Sequence, residues 1–473
     1  MKGIWILCGL ILAGQAHGQV WEKTIVPGLT YRMEVDRNVP RIVHAVRFSF
    51  GAPGLKLKSE LGGGTVIEEN ATKGRETISE MASRTDSLVA INADFFPFTG
   101  DPLGLMVKDG QVVSASNNRA VFGWGDQFAE MGLIDFDAKM LVDGREIPLK
   151  GINQECPLNG IVLNTEVASI AVAKLPNVHA IFKMDSTEWS PNGEWSGTFV
   201  SLYADADKMP IQPGNAVVTA NGIKAELLKS LVPGQRASFS FRAVGFDWAK
   251  VNQAVGGGPF LVRNGVISVD ATREKFNKDF TEKRHPRTAV GMTKDGDLWF
   301  VVIDGRQKMS DGATLEETAR VMLDLGCTDA MNLDGGGSSA LNILGLTVNR
   351  PSEGKERPVA NGVVLLGPKP EPNHALLKIS GPETLNLGTG KTLQVVDEKG
   401  IDVPNSDVVW SASGGAWIDQ GGLVRPFEKG KVEVAAMVRG QVLRTTFVIE
   451  EALPPAKPRT PAKTSRSKKG RGG

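Results

Sequence analysis

The sequence predicts an α+β body, mixed sheets with short helices, followed by a small all-β sandwich and a polar basic tail. Three observations carry that prediction. Two capping boxes, TISE at Thr77–Glu80 and TLEE at Thr314–Glu317, each open a short helical pattern that runs into a strand-like segment. Bursts of apolar–polar alternation with Gly turns fill Leu376–Glu450, the run Val432, Val434, Ala436, Val438 among them. Two Pro-rich breaks, Gly367–Asn373 and Leu453–Lys463, separate body, sandwich and tail.

In chain order, residues 1–18 read as a secretory signal peptide: Lys2, an apolar run Ile4–Ala13, then Ala16-His17-Gly18. The run falls well short of the roughly 18 residues a spanning helix needs. No cysteine follows a small residue at the cleavage region, which argues against a lipoprotein anchor. The mature chain is therefore expected from Gln19, exported to the periplasm or the extracellular envelope, with no membrane span. Residues 19–368 should hold the function and fold and work alone, 375–450 should form the sandwich, and 451–473 should be a disordered tail.

At 473 residues, 41% hydrophobic and 23% charged, the chain has the profile of a soluble protein of two or three domains. Its formal charge of +1 hides an asymmetry: without Lys2 and the seven Lys/Arg of Ala452–Gly473, the rest carries −7. The tail is either a solvated end or an arm for an anionic envelope polymer; nothing points to nucleic acid. Cys156 and Cys327 remain after cleavage, and one disulfide or two buried thiols fit equally.

The mature chain has four histidines, His44, His179, His285 and His374, none paired at metal spacing, which disfavours a His-rich zinc hydrolase. There is no G-x-S-x-G elbow and no Walker loop. The chemistry-bearing stretches are AVGGGPFLVRNG (254–265), RHPRTAVGM (284–292), VVIDGRQ (301–307) and MNLDGGGSSAL (331–341). Two strand-like segments end alike, in Asn92-Ala93-Asp94 and Asn332-Leu333-Asp334. Each piece alone has a plain explanation as a turn or a structural ion pair. Together, glycine-rich amides, guanidinium groups and carboxylates describe a pocket for an anionic, hydroxyl-rich ligand. Gly257, Gly258 and Gly335–Ser339 would supply amides, and Asn92 and Asn332 the wall. Asp334 beside phosphate-binding amides raises a repulsion, resolved if it faces a sugar or if a divalent cation, calcium or magnesium, lies between.

Residues from about Thr30 to Val364 resemble the phosphodiester glycosidase family. The matching pieces are TISEMASRTDSLVAINADFF, GDPLGLMVKDG, the GGGP segment, RTAVG, DGRQ, LDGGGSS and ERPVANGVV. The family's first motif usually reads Asn-Gly-Gly-Phe-Phe; here it is Asn92-Ala93-Asp94-Phe95-Phe96, so Asn92 carries over and Asp94 acquires no role. The resemblance implies hydrolysis of an anomeric carbon–oxygen bond in a sugar-1-phosphodiester, whether of a glycan or of a small molecule. Asp334 and Asp304 are then the catalytic candidates and Arg287 and Arg306 the phosphate ligands. A non-catalytic glycan-binding protein and a metal-dependent phosphodiesterase are the rivals. Residues 376–450 resemble the bacterial Ig-like (group 2) domain, with Trp410, Gly422-Leu423-Val424 and Gly430 as landmarks, which implies a spacer without chemistry.

Overall fold

The computed structural model describes residues 18–372 and 375–451. The expected signal peptide short of Gly18, His374 and residues 452–473 lie outside them.

An eight-stranded antiparallel sheet forms the spine of the body. Its spatial order is Gln19–Val26, Leu29–Asp36, Arg41–Ser49, Asp297–Ile303, Arg287–Thr293, Cys327–Asn332, Phe260–Arg263, Val266–Ile267. The period-two pattern of LTYRMEVD puts Leu29, Tyr31, Met33 and Val35 inside and their neighbours at the rim. The central strand Asp297–Ile303 is instead apolar from Leu298 onward because both faces are covered. Leu298, Phe300 and Val302 enter the main core. Trp299, Val301 and Ile303 pack under Leu315, Ala319 and Met322 of the helix Leu315–Asp324.

Both capping boxes are present: Thr77 with Glu80 opens the helix Ile78–Thr85, and Thr314 with Glu317 opens Leu315–Asp324. These helices lead into Val89–Asn92 and Cys327–Asn332, which belong to two different sheets. The first lies in a five-stranded sheet with Asn361–Leu366 and Lys56–Leu61, and a second five-stranded sheet contains Gln253–Gly256.

The α+β expectation overstates the helices. Among the described residues the four α-helices run only four to ten residues, and the molecule is mostly β-sheet. A second eight-stranded sheet, built from strands between Asp135 and Val244, has its own core centred on Trp189, Trp195, Phe182, Phe239 and Phe241. The sequence reading did not separate this unit from the body.

After residue 375, a four-stranded and a three-stranded sheet share a core of Trp410, Val424, Val432, Val434, Ala436 and Val438. The other face of this module meets the body. Val409, Trp417, Ala435 and Met437 join the core that holds Tyr31 and Met33. Lys23 donates to the carbonyls of Asn405, at 2.5 Å, and Val408. Arg350 donates to those of Ala416, at 2.6 Å, and Gly414. The body thus shares part of its core with the module that the Pro-rich breaks set apart.

Candidate functional site

The ends of Val89–Asn92, Gln253–Gly256 and Cys327–Asn332 converge, and Asp334 sits where they meet. Its amide donates to Ala93 O at 2.8 Å, and its carbonyl accepts Asn92 Nδ2 at 2.7 Å. Asn92 Oδ1 accepts in turn from Thr288 Oγ1 at 3.0 Å and Ala340 N at 3.1 Å. Asn92 is thus a staple that fixes both ends of the DGGGSS turn. Asn332 does the same for the other glycine loop, donating to Gly258 O at 3.0 Å while Gly258 N donates to Asn332 O at 2.7 Å. Both asparagines brace the site from beneath instead of forming its wall.

The glycines make room for side chains. A Cβ on Gly336, whose φ is +63°, would lie 3.2 Å from Arg306 Nη2. On Gly337 it would collide with the guanidinium of Arg357, and on Gly335 it would lie 2.7 Å from Pro286 O. The expected nest of amides is largely engaged within the turn. Gly336 N donates to Pro286 O, Ser338 N to Gly335 O, Ser339 N to Gly336 O, and Gly335 N to the Asp334 carboxylate. The positive charge at this turn is carried by arginines. Arg306 is exposed, its Nη2 3.3 Å from His285 Nδ1. Arg357 reaches Ser338 Oγ at 3.4 Å and pairs with Glu353. Arg75 lies close enough to Arg357 for the two charges to oppose each other. Burial, with the charges of Arg287 and Arg306 behind it, lowers the pKa of His285 and favours its neutral ring.

Two carboxyls in this arrangement hold their protons unusually well. Burial pushes Asp334 up to about 6, against the pull of the Ser338 hydroxyl, the Arg357 charge and the Gly335 amide. Burial pushes Asp94 up to about 7; the amides of Gly104 and Phe95 oppose this, the charge of Asp334 adds to it, and Arg119 opposes it. Asp94 lies against the bare backbone of Gly104 and Gly256, where a Cβ on either would come within 2.8 Å of its Oδ2. Arg119, over the Phe276 ring at 4.1 Å and the Phe95 ring at 5.5 Å, brings a further cation to this side. A like charge close by and a dry setting keep one of two acids protonated near neutrality.

The structure does not bring Asp304 to this site, and Arg287 reaches it only as a buried charge felt by His285 and Arg306. Arg287 is fully buried and donates to the carbonyls of Ala313 at 2.8 Å, Phe280 at 2.6 Å and Lys283 at 3.0 Å. It ties the loop after Lys278–Glu282 to the sheet. Arg287→Met should leave those carbonyls unpaired and lower stability by about 3 kcal/mol, read as a lower thermal midpoint. Asp304 points into the contact with the C-terminal module. Its Oδ1 accepts Arg350 N at 2.9 Å, and its Oδ2 lies 3.3 Å from His44 Nε2, whose Nδ1 is 2.8 Å from Tyr31 Oη. Ser338 and Ser339 are buried supports, the second accepting from Thr288 Oγ1 at 3.1 Å.

Sequence reasoning passed over Asp94, Arg357 and Arg119. The first two stood in quoted motifs, NADFF and ERPVANGVV; Arg119 carries no local signal. Cys156 and Cys327 are both buried free thiols, pushed up to about 12 by burial. Among the described residues no three His, Cys, Asp or Glu side chains converge as a metal site.

Comparison with known proteins bears on this region. Residues 192–366 match the family model of the phosphodiester glycosidases. The SPbeta prophage-derived uncharacterized protein YomE of Bacillus subtilis (strain 168) is 25% identical over 263 residues, 53% of this chain and 37% of that protein. The N-acetylglucosamine-1-phosphodiester alpha-N-acetylglucosaminidase of Bos taurus is 33% identical over 111 residues, 21% of each chain. The chain thus spans well under half the length of these curated relatives. Two solved structures share the fold. A hypothetical protein from Synechocystis, 21% identical, has a TM-score of 0.64 over 75% of this chain and 64% of that one. A Burkholderia pseudomallei K96243 protein described as exported, 24% identical, has a TM-score of 0.58 over 69% and 74%.

Proposed function

We propose, from a chain whose residues 192–366 are a phosphodiester glycosidase domain, that the protein hydrolyses the anomeric C–O bond of sugar-1-phosphodiesters outside the cytoplasm. What carries the reading is one juxtaposition: two proton-holding carboxyls, Asp94 and Asp334, beside a turn on which Arg306 and Arg357 rest. A phosphate leaving group is weakly basic and needs its charge neutralised more than it needs a proton, and guanidinium groups supply that. The sugar side needs a carboxylate, to take the proton of the attacking water or to offset the oxocarbenium charge. Asp334 has that duty, and Asp94 is the neighbour that keeps its proton while Asp334 loses its own. Water attacks the anomeric carbon, the bond to the phosphate oxygen breaks, and the products are free sugar and a phosphomonoester. Export is part of the proposal and rests on the leader pattern. Among the described residues no helix is long and apolar enough to cross a membrane.

Hydrolysis of a panel of sugar-1-phosphodiesters in oxygen-18 water tests the reading. The label is expected in the free sugar. Label in phosphate with release of sugar-1-phosphate would make the protein a phosphodiesterase, and saturable binding without turnover would make it a glycan-binding protein.

A further inference from the structure

The last glycine of the Gly256–Gly258 loop and Arg119 have no part in the reaction proposed above, yet they form a built structure beside Asp94. A Cβ on Gly258, whose φ is +106°, would lie 2.5 Å from Glu274 Oε2, 3.2 Å from the Phe276 ring and 3.4 Å from Arg119 Cβ. Bare backbone thus lets three side chains close over the loop. Glu274 is buried and spends both carboxylate oxygens on the chain, accepting Phe260 N at 2.9 Å and Ala120 N at 2.8 Å. Its carbonyl accepts Arg119 Nε at 3.1 Å. The Arg119 guanidinium lies over the Phe276 ring at 4.1 Å, and Phe276 stacks on Phe280 at 5.0 Å. Phe95 closes the side of this stack, 5.4 Å from Phe276 and 5.7 Å from Phe280. The guanidinium is therefore held in place before any ligand arrives, and binding through it costs little ordering.

Its outer nitrogens are left over. Among the described residues neither Nη of Arg119 has a protein acceptor, and no carboxylate lies within ion-pair distance. The two acids whose charge it feels, Asp94 and Glu274, turn their oxygens to amides, Asp94 to those of Phe95 at 2.8 Å and Gly104 at 2.5 Å. Burial favours the neutral form of both. The charge is also distinct from those on the glycine turn, since Asp94 feels Arg119 whereas Asp334 feels Arg357. A phosphodiester carries a single negative charge, which Arg306 and Arg357 already match. Resting on the glycosidase reading, we propose that Arg119 is a specificity residue that takes a carboxylate on the sugar, so that the substrate is a phosphodiester of a uronic or similarly acidic sugar. The fork of guanidinium donors fits a planar carboxylate. A phosphate monoester, with its nearly doubled charge, would be repelled more strongly by Asp94 and Glu274.

Calorimetric titration of the full chain with sugar 1-phosphates tests this without requiring turnover. Glucuronic acid 1-phosphate should bind about 10–100-fold more tightly than glucose 1-phosphate, the range of a charge-assisted hydrogen-bonded pair. R119Q should abolish that difference, and R119K, which keeps the charge without the fork, should retain part of it, both titrated at a temperature where circular dichroism shows them folded. The proposal is overturned if the wild type binds the two sugars alike. It is equally overturned if R119Q weakens both alike, which would make Arg119 a phosphate ligand, or if glucose 1,6-bisphosphate gains more from Arg119 than the uronate does. Hydrolysis of the matching methyl phosphodiesters separates this inference from the reading beneath it. Equal kcat/KM on the glucose and glucuronic acid diesters would keep the glycosidase and remove the acidic sugar. Arg119-dependent binding of the uronate with turnover of neither diester would remove the glycosidase and keep the carboxylate site.

Discussion

Cutting the chain after Pro368 should yield a body that is insoluble or destabilised by on the order of 5 kcal/mol, comparable to the whole stability of a domain. The module it removes supplies Val409, Trp417, Ala435 and Met437 to the core that holds Tyr31, Met33 and Phe300. Without them the body would present a contiguous apolar face to water. The cut also reaches the site. The chain from Arg350 to Arg357 is anchored at one end to the module, through Arg350 on Ala416 O and Gly414 O and over the Phe427 ring at 5.1 Å. Its other end delivers Arg357 to the glycine turn. Any soluble truncated protein should therefore lose binding of an anionic substrate as well as stability. Soluble yield, thermal midpoint and KM measure the effect; a truncated body matching the full chain in all three would restore the independence that the Pro-rich breaks suggest.

Those breaks are silent on this contact for a physical reason. Proline and charge mark a stretch that makes no regular structure, but say nothing of what the flanking units do with their outer faces. In the module strand Gly430–Val438, Val432, Val434, Ala436 and Val438 face inward as the alternation predicts. The intervening Ala435 and Met437 look like an ordinary outer face and are buried against the body. The same limit separates the site residues. Local signals were legible: both capping boxes, the Gly326 stop at φ +83° and the asparagines at two strand ends. Where a charged side chain points once a strand has ended depends on tertiary neighbours. Asp304 stands one residue beyond Ile303 and turns to His44 and the Arg350 amide, while Arg306, two further on, reaches the glycine turn. The nearness of Asp94, Arg119 and Asp334 is a product of sheet assembly, since strands from three sheets deliver them.

Asp334→Asn should lower turnover of a sugar-1-phosphodiester by roughly 10²–10⁴-fold with little change in binding, as expected for a carboxylate acting on the sugar while arginines hold the phosphate. Its amide keeps the shape but cannot take a proton or carry charge. The pH profile separates this role from one of bracing the turn. With Asp334 at about 6 and Asp94 at about 7, the form with only Asp334 ionised is most populated between them. Activity should rise as pH passes 6 and fall beyond 7. Asp94→Asn mimics the protonated partner, so it should keep the acidic limb and lose the alkaline one. Stability moves in a direction the same groups dictate. Both carboxyls are raised above an ordinary 3.8, so the stability they contribute is full below about 4 and is lost as pH rises through 6 and 7. Asp94→Asn removes the later part of that loss, so its thermal midpoint should fall less between pH 6 and pH 8 than the parent's. Full turnover by folded Asp334→Asn, or an alkaline limb that survives Asp94→Asn, would take the reaction away from this pair and leave Asp334 as a brace for the turn.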